Sequence, residues 1–277
     1  MKKIIGIITI PINSKYKDYY NIGKSVMVSS NLNFFKDDDI TILPIPFNTT
    51  EPETYFKKIH GLIIPGDTVF TCEKDEFNKI CDTLIHLAIK LNDNGVYFPI
   101  LGICKGMQHM LLAVEHYKND ILDKLDTHGK YKLPLNITND GIESNLFKDA
   151  VLNRPKWIIE MSTKRYLIHN HKYGLSLFKY NNNRKIKRFY KCLSINRDRN
   201  GKEFINIIEA YKYPFYGLQF HPESIYAKKQ NYFSEFFISE VKKNKNKDIS
   251  QLLTSDIPSH TLIKDCPYTE LNCFIYS

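Results

Sequence analysis

Short apolar runs alternate with amphipathic stretches through residues 1–115. The runs IIGIITI (4–10), ITILPIP (40–46), GLIIPG (61–66) and VYFPILGI (96–103) are rich in β-branched residues and bounded by Gly, Pro or Asn. That is the pattern of strands buried on both faces. Helices are predicted between them near 20–36, 51–59 and 73–93, and in the last Phe77, Ile80, Cys81, Leu84, Leu87, Ala88 and Leu91 recur at helical spacing. Strand and helix in alternation predict an α/β fold, a mostly parallel sheet with helices on both faces. From residue 130 onward the pattern changes. YKLPLNIT, RYLIHNH, FYKCLSINR, EFINIIEAY and PFYGLQFH predict additional β elements with few helices between them. The Lys/Asn/Arg stretch 180–188 is predicted as an exposed turn or hairpin loop. A helix over 225–243 then carries Tyr232, Phe233, Phe236, Phe237 and Val241 on one face. The polar run KKNKNKD reads as a solvated linker near 242–250, and NCFIYS as a last apolar element. With no repeat and no clean boundary, residues 1–277 are expected to form a single domain with a C-terminal extension.

Composition narrows the function classes. Apolar residues make up 43% and charged residues 25% of the 277 residues, ordinary values for a globular chain. The formal charge of +9 comes with a Lys/Asn/Ile excess throughout, and its field favours capture of anionic substrates. No Lys/Arg cluster interleaves with aromatic residues, so a nucleic-acid surface is not expected. The six cysteines (Cys72, Cys81, Cys104, Cys192, Cys266, Cys273) show no CxxC spacing. They are expected to be free thiols, with neither a zinc site nor a disulfide framework. The start MKKIIGIITIPIN imitates a secretory signal poorly, because Pro11 closes the run and no small-residue cleavage site follows. Asn48-Thr49-Thr50 and Asn136-Ile137-Thr138 match the glycosylation pattern only as chance would produce it. No apolar run approaches the roughly 18 residues of a membrane span, and a cytoplasmic location is expected.

The candidate chemistry centres on LGICKGMQHM (101–110), where a strand ends in Gly102-Ile103-Cys104-Lys105-Gly106 and runs into a helix. This is the cysteine form of a nucleophile elbow, a sharp turn that strains the backbone at the nucleophile and needs small neighbours. The following helix turns its N-terminus toward Cys104, where unpaired amides favour a thiolate and can bind an oxyanion. Taken alone, the pattern leaves an inert buried thiol as an equal reading. A partner lies far downstream in YGLQFHPES (216–224), which ends an apolar strand with His221-Pro222-Glu223. A strand-end histidine lies where open α/β sheets bind ligands. A carboxylate two residues on can orient its ring.

GICKGMQ together with LQFHPE resembles the class I glutamine amidotransferase-like superfamily, and more specifically the γ-glutamyl hydrolases, the folylpolyglutamate-cleaving branch. HGLIIPGD (60–67), DNGVYFPILGICKG (93–106), LPLNIT (133–138), HNHKYGLSLF (169–178), EAYKYPFYGLQFHPES (209–224) and the ending CFIY carry the likeness over nearly the whole chain. The resemblance implies a flavodoxin-like fold and a Cys-His-Glu triad in which Cys104 attacks, His221 is base and then acid, and Glu223 orients it. It further implies an oxyanion hole from backbone N–H groups of Lys105 and of the Gly66-Asp67 turn, and substrate contact at His171 and Gln108. The implied substrate is a small-molecule γ-glutamyl amide, most closely a folylpoly-γ-glutamate, with no cofactor, no metal, no nucleic acid and no membrane. A homodimer is left open.

Three departures bear on the substrate. Gly66-Asp67 stands where the family has a Gly pair. Lys105-Gly106-Met107-Gln108 is closer to amidotransferases than to γ-glutamyl hydrolases. The segment between Glu223 and the last predicted helix is short. The alternatives are therefore a hydrolase of other γ-glutamyl amides and a glutaminase subunit that delivers ammonia to a synthase. The family is often lysosomal or secreted, which sets the cytoplasmic expectation apart from it.

Overall fold

The computed structural model describes residues 2–12, 21–66, 74–117, 121–224, 226–227, 229–246, 257–264 and 273–276. The chain divides into two compact units, residues 1–100 with 237–277, and residues 101–236. The first unit opens with β1 (Lys3–Ile8), β2 (Ile10–Pro11), β3 (Ser25–Val28), α1 (Ser29–Phe34), β4 (Ile40–Ile45), α2 (Pro52–Phe56), β5 (Gly61–Ile64) and α3 (Lys74–Asp93). β1 pairs in parallel with β4 on one side and with β5 on the other, Ile5 standing opposite Ile42 and Gly61. Ile5, Ile7, Leu43, Ile45, Leu62 and Ile63 are fully buried, which is why these runs are continuous in apolar residues rather than alternating. On α3, Phe77, Ile80, Cys81, Leu84 and Ala88 form the buried face that the helical spacing predicts.

The second unit is entered through β6 (Ile100–Ile103) and continues with α4 (Lys105–Val114), β7 (Asp123–Leu133), α5 (Asn139–Ile142), α6 (Lys148–Asn153), α7 (Pro155–Thr163), β8 (Leu167–Gly174), α8 (Leu177–Asn182), α9 (Arg184–Phe189), β9 (Tyr190–Arg197), β10 (Glu203–Ala210), β11 (Phe215–Leu218) and the start of α10 (Asn231–Lys243). Here the strand order is β6-β11-β10-β9, with β10 antiparallel to both of its neighbours. β7 and β8 form a separate antiparallel pair. This is the α/β class that the sequence pattern predicts, with parallel strands early and added antiparallel elements in the C-terminal half.

Two expectations change in this unit. The 180–188 stretch is helical: it lies in α8 and α9 rather than in an exposed loop. Ser176 Oγ accepts from Lys179 N, and Asn183 Oδ1 accepts from Ile186 N, so each short helix carries its own cap. Tyr180 and Ile186 are buried while the Lys and Arg side chains cover the outside, which makes the stretch read as solvent-exposed. The region expected to have few helices also holds α5, α6 and α7, the last opened by Pro155 at its first turn. α10 begins at Asn231, later than expected, and the KKNKNKD run starts inside its last turn.

Past α10 the chain returns to the first unit with β12 (His260–Ile263) and β13 (Cys273–Tyr276). A four-stranded sheet of order β12-β13-β3-β2 results. The stretch predicted as a helix over 20–36 is therefore partly a strand. Ser25, Val26 and Met27 are buried, and β3 pairs antiparallel with β13 and with β2. Its partner comes from the far end of the chain, beyond the reach of any local pattern. Cys273 is disulfide-bonded, against the expectation of free thiols, whereas Cys81, Cys104 and Cys192 form no disulfide. Spacing argued against a framework of several bridges; it is blind to one bridge made by tertiary contact. Among the described residues no helix is long and apolar enough to cross a membrane.

Candidate active site

Cys104 stands at the corner between β6 and α4, with φ 51° and ψ −106°. A left-handed non-glycine residue costs on the order of 1–3 kcal/mol and persists only where its surroundings hold it. Here they do. Cys104 N donates to Leu218 O at 2.6 Å, tying the corner to β11, and its own carbonyl accepts from Gln108 N at 3.3 Å. A Cβ on Gly102 would lie 2.7 Å from backbone atoms of Gly106 and Met107 and 2.5 Å from Met110 Sδ, so only glycine lets the strand pass this close to the helix. Gly217 serves likewise on β11, where a Cβ would meet Met107 Cγ at 2.8 Å and Ile208 Cγ1 at 2.7 Å. The free Cys104 thiol is 4% exposed.

β11 delivers the second group. His221 lies just past the strand, its N–H fixed on Ile168 O at 2.9 Å. Its Nδ1 meets Glu223 Oε1 at 2.7 Å, and the Cys104 sulfur lies near enough to the ring to act on its charge. Burial disfavours a charged imidazole, but the adjoining sulfur and carboxylate outweigh it and raise the His221 pKa well above its ordinary value. The arrangement places an imidazole between a thiol sulfur and a carboxylate. Glu223 Oε2 is buried with no hydrogen-bond partner among the described residues.

A second pair of histidines lies on β8. His171 Nδ1 is 2.9 Å from Tyr173 O and 2.9 Å from Thr127 Oγ1, while Thr127 Oγ1 donates to His171 O at 2.6 Å. A carbonyl only accepts, so Nδ1 carries the proton and Nε2 is a bare acceptor. His169 Nδ1, 3.0 Å from that Nε2, must then be the donor. This leaves His169 Nε2 without a proton, and it has no partner among the described residues. Burial pushes His171 down to about 3, against the pull of the Tyr173 carbonyl and helped by the charge on His221. His169 is pushed well down by burial, then by His171 and His221.

The structure thus brings Cys104, His221 and Glu223 together. Gln108, expected at the substrate, is buried and donates inward to Tyr173 O at 2.7 Å and to Gln219 Oε1 at 3.4 Å. Lys105 is the first residue of α4. Gly66 follows β5 in the first unit, and Asp67 lies outside the described residues. Sequence pattern alone does not single out His169, Thr127 and Gln219. Gln219 had left a signal, a polar residue in an apolar strand run two positions before His221, and residues two apart along extended chain share a face. Among the described residues no cluster of His, Cys, Asp and Glu has a geometry that would hold a metal ion.

Residues 28–240 match the family glutamine amidotransferase class-I. Among individual proteins the chain is 31% identical over 262 residues to a γ-glutamyl hydrolase of Rattus norvegicus, covering 88% of this chain and 78% of the relative. The chain belongs to the γ-glutamyl hydrolases. It is an enzyme of that type, within the class I glutamine amidotransferase family. A γ-glutamyl hydrolase of Homo sapiens is 30% identical over 261 residues (88% of this chain, 79% of the relative), and γ-glutamyl hydrolase B of Dictyostelium discoideum is 29% identical over 265 residues (88% and 73%). The fold is similar to that of a solved structure described as "a putative gmp synthase subunit a protein" from Thermoplasma acidophilum. Its TM-score is 0.53 at 15% identity, covering 87% of this chain and 95% of that one. At that identity the likeness concerns fold alone, and it agrees with the α/β architecture.

Proposed function

We propose that this enzyme hydrolyses γ-glutamyl amide bonds of folylpoly-γ-glutamates through Cys104, His221 and Glu223. The observation that carries the mechanism is the row formed by Cys104 at its strained corner, His221 beside its sulfur, and Glu223 Oε1 2.7 Å from the His221 ring. The γ-glutamyl specificity is supported by the relatives, and the net charge of +9 suits a substrate with many carboxylates.

The Cys104 thiolate attacks the amide carbonyl carbon, and the carbonyl electrons move to oxygen. Backbone N–H of Lys105, at the N-terminal end of α4, contributes to holding that oxyanion. As the tetrahedral species collapses, the C–N bond breaks and His221 gives its proton to the leaving nitrogen. A thioester remains. Water then attacks the thioester carbonyl, His221 takes the water proton, and the C–S bond breaks to return the thiolate and release a carboxylate. Glu223 keeps the proton-bearing ring in the tautomer that both halves require.

The test is to incubate purified protein with pteroylpentaglutamate, γ-glutamyl-γ-aminobutyrate and glutamine while following glutamate, γ-glutamyl peptide and ammonia release. Cleavage of the pentaglutamate is expected, with loss of all detectable turnover in Cys104→Ala. Ammonia from glutamine as the sole product would overturn the substrate, and unchanged activity in Cys104→Ala would overturn the mechanism.

A further inference from the structure

The amide of Gln219, fully buried, lies against the sulfur of the candidate nucleophile, with Nε2 donating to Cys104 Sγ at 3.9 Å. A primary amide has a donor end and an acceptor end, so its effect on a thiolate depends on which end faces the sulfur. The orientation follows from a group that cannot be reversed. The backbone carbonyl of Tyr173 only accepts, so the nitrogen of Gln108 must face it, as it does at 2.7 Å. The same nitrogen turns its other hydrogen toward Gln219 at 3.4 Å, which makes the facing Gln219 atom the oxygen. The Gln219 nitrogen is thereby left to Cys104. The Gln219 backbone is held separately, its N–H on Asn206 O at 2.9 Å. Gly174 leaves room for the amide, since a Cβ there would stand 3.3 Å from Gln219 Oε1.

We propose that Gln219 is a positioning residue for Cys104, its amide N–H locked onto the sulfur by Gln108 and the Tyr173 carbonyl so that it holds and aims the thiolate. This rests on Cys104 being the nucleophile. The other polar groups around the sulfur divide the work differently. His221, backed by Glu223, supplies positive charge; His169 and His171 on β8 are neutral; Lys105 follows in sequence at the start of α4. The amide is a donor whose strength does not change with pH. It favours the charged sulfur over the thioester, because hydrogen bonds to charged acceptors are about twice as strong as neutral ones. It therefore acts on the state from which attack begins and to which hydrolysis returns.

Alkylation by iodoacetamide, read by mass spectrometry on the Cys104 peptide across a pH series, reports the thiolate without any substrate. Gln219→Met, which keeps the volume and removes the donor, is expected to move the half-maximal pH up by about one unit and to slow alkylation near neutrality about tenfold. Gln219→Glu should move it further, because a carboxylate repels the thiolate. Gln108→Met should move it in the same direction by less, because it frees the amide to rotate. An unchanged profile in a Gln219→Met protein with wild-type melting behaviour would overturn the proposal. If Gln219→Met does not fold, Gln108→Met decides, and no shift there overturns it. A shift in a protein that cleaves no γ-glutamyl substrate would leave this proposal standing and sink the substrate assignment alone.

Discussion

At the scale of single residues, the site is a set of proton assignments. The partners of His221 raise its pKa well above the ordinary histidine value, while burial lowers those of His169 and His171. Replacing Glu223 by Gln keeps the shape and removes the charge that favours imidazolium; kcat should fall roughly 10²–10⁴-fold with KM little changed. Steady-state kinetics on a γ-glutamyl substrate check this. The placement of Cys104 at a strand-to-helix corner and of His221 just past a strand was legible in the sequence, because each leaves a local mark. His169 and Thr127 were not, because their roles depend on the pairing of β7 with β8, which sets Thr127 opposite His171. Periodicity shows that these positions alternate; it does not show which strand faces them.

The elements make the corner at Cys104 possible. The close passage of β6 under α4 depends on Gly102 having no side chain, since an added Cβ would press on backbone and not merely on the flexible end of Met110. Gly102→Ala is expected to cost about 1–3 kcal/mol and to lower activity at least tenfold by displacing Cys104; urea titration and kinetics measure the two separately. A second element-level device is Glu209 on β10, 1% exposed, which accepts from the Leu146 and Asn145 N–H groups and from Lys191. It fastens the turn that leads into α6. Glu209→Ala strips these donors of their acceptor and should destabilise the protein by about 1–3 kcal/mol, read as a lowered melting temperature with kcat preserved. Helices and strands that carry their own periodicity are legible in the sequence, as α3 and β1 show. α8 and α9 are not legible because Lys, Arg and Asn disguise two buried residues, Tyr180 and Ile186, and β3 is not because its pairing strand is remote.

For the whole molecule, the buried neutral histidines set the response to acid. In the first unit His60 Nδ1 accepts from Ile4 N at 3.1 Å, and burial together with Lys3 lowers it to about 4. His171 is lowered to about 3, and His169 well below its ordinary value. These groups bind protons in the unfolded chain before they do in the folded one, so unfolding takes up protons. Their contribution is complete above the ordinary histidine range, near pH 6.5, and is lost as pH falls through 4 toward 3. His221 runs the other way: its raised pKa adds stability at lower pH that is lost as pH rises through its folded value. Each net proton changes the slope by about 1.4 kcal/mol per pH unit. Urea midpoints should therefore fall between pH 6 and 4, and His60→Gln should flatten that fall; an equally steep fall in the variant would refute the assignment.

The division of the chain has a temporal consequence. The first unit is discontinuous, built from residues 1–100 and 237–277, whereas the second is one uninterrupted stretch, 101–236, that contains Cys104, His221 and Glu223. Ribosomal synthesis is vectorial, and domains fold as units while it proceeds. Cys104, His221 and Glu223 have thus all been translated while β3 still waits, unpaired on one edge, for a partner that has not.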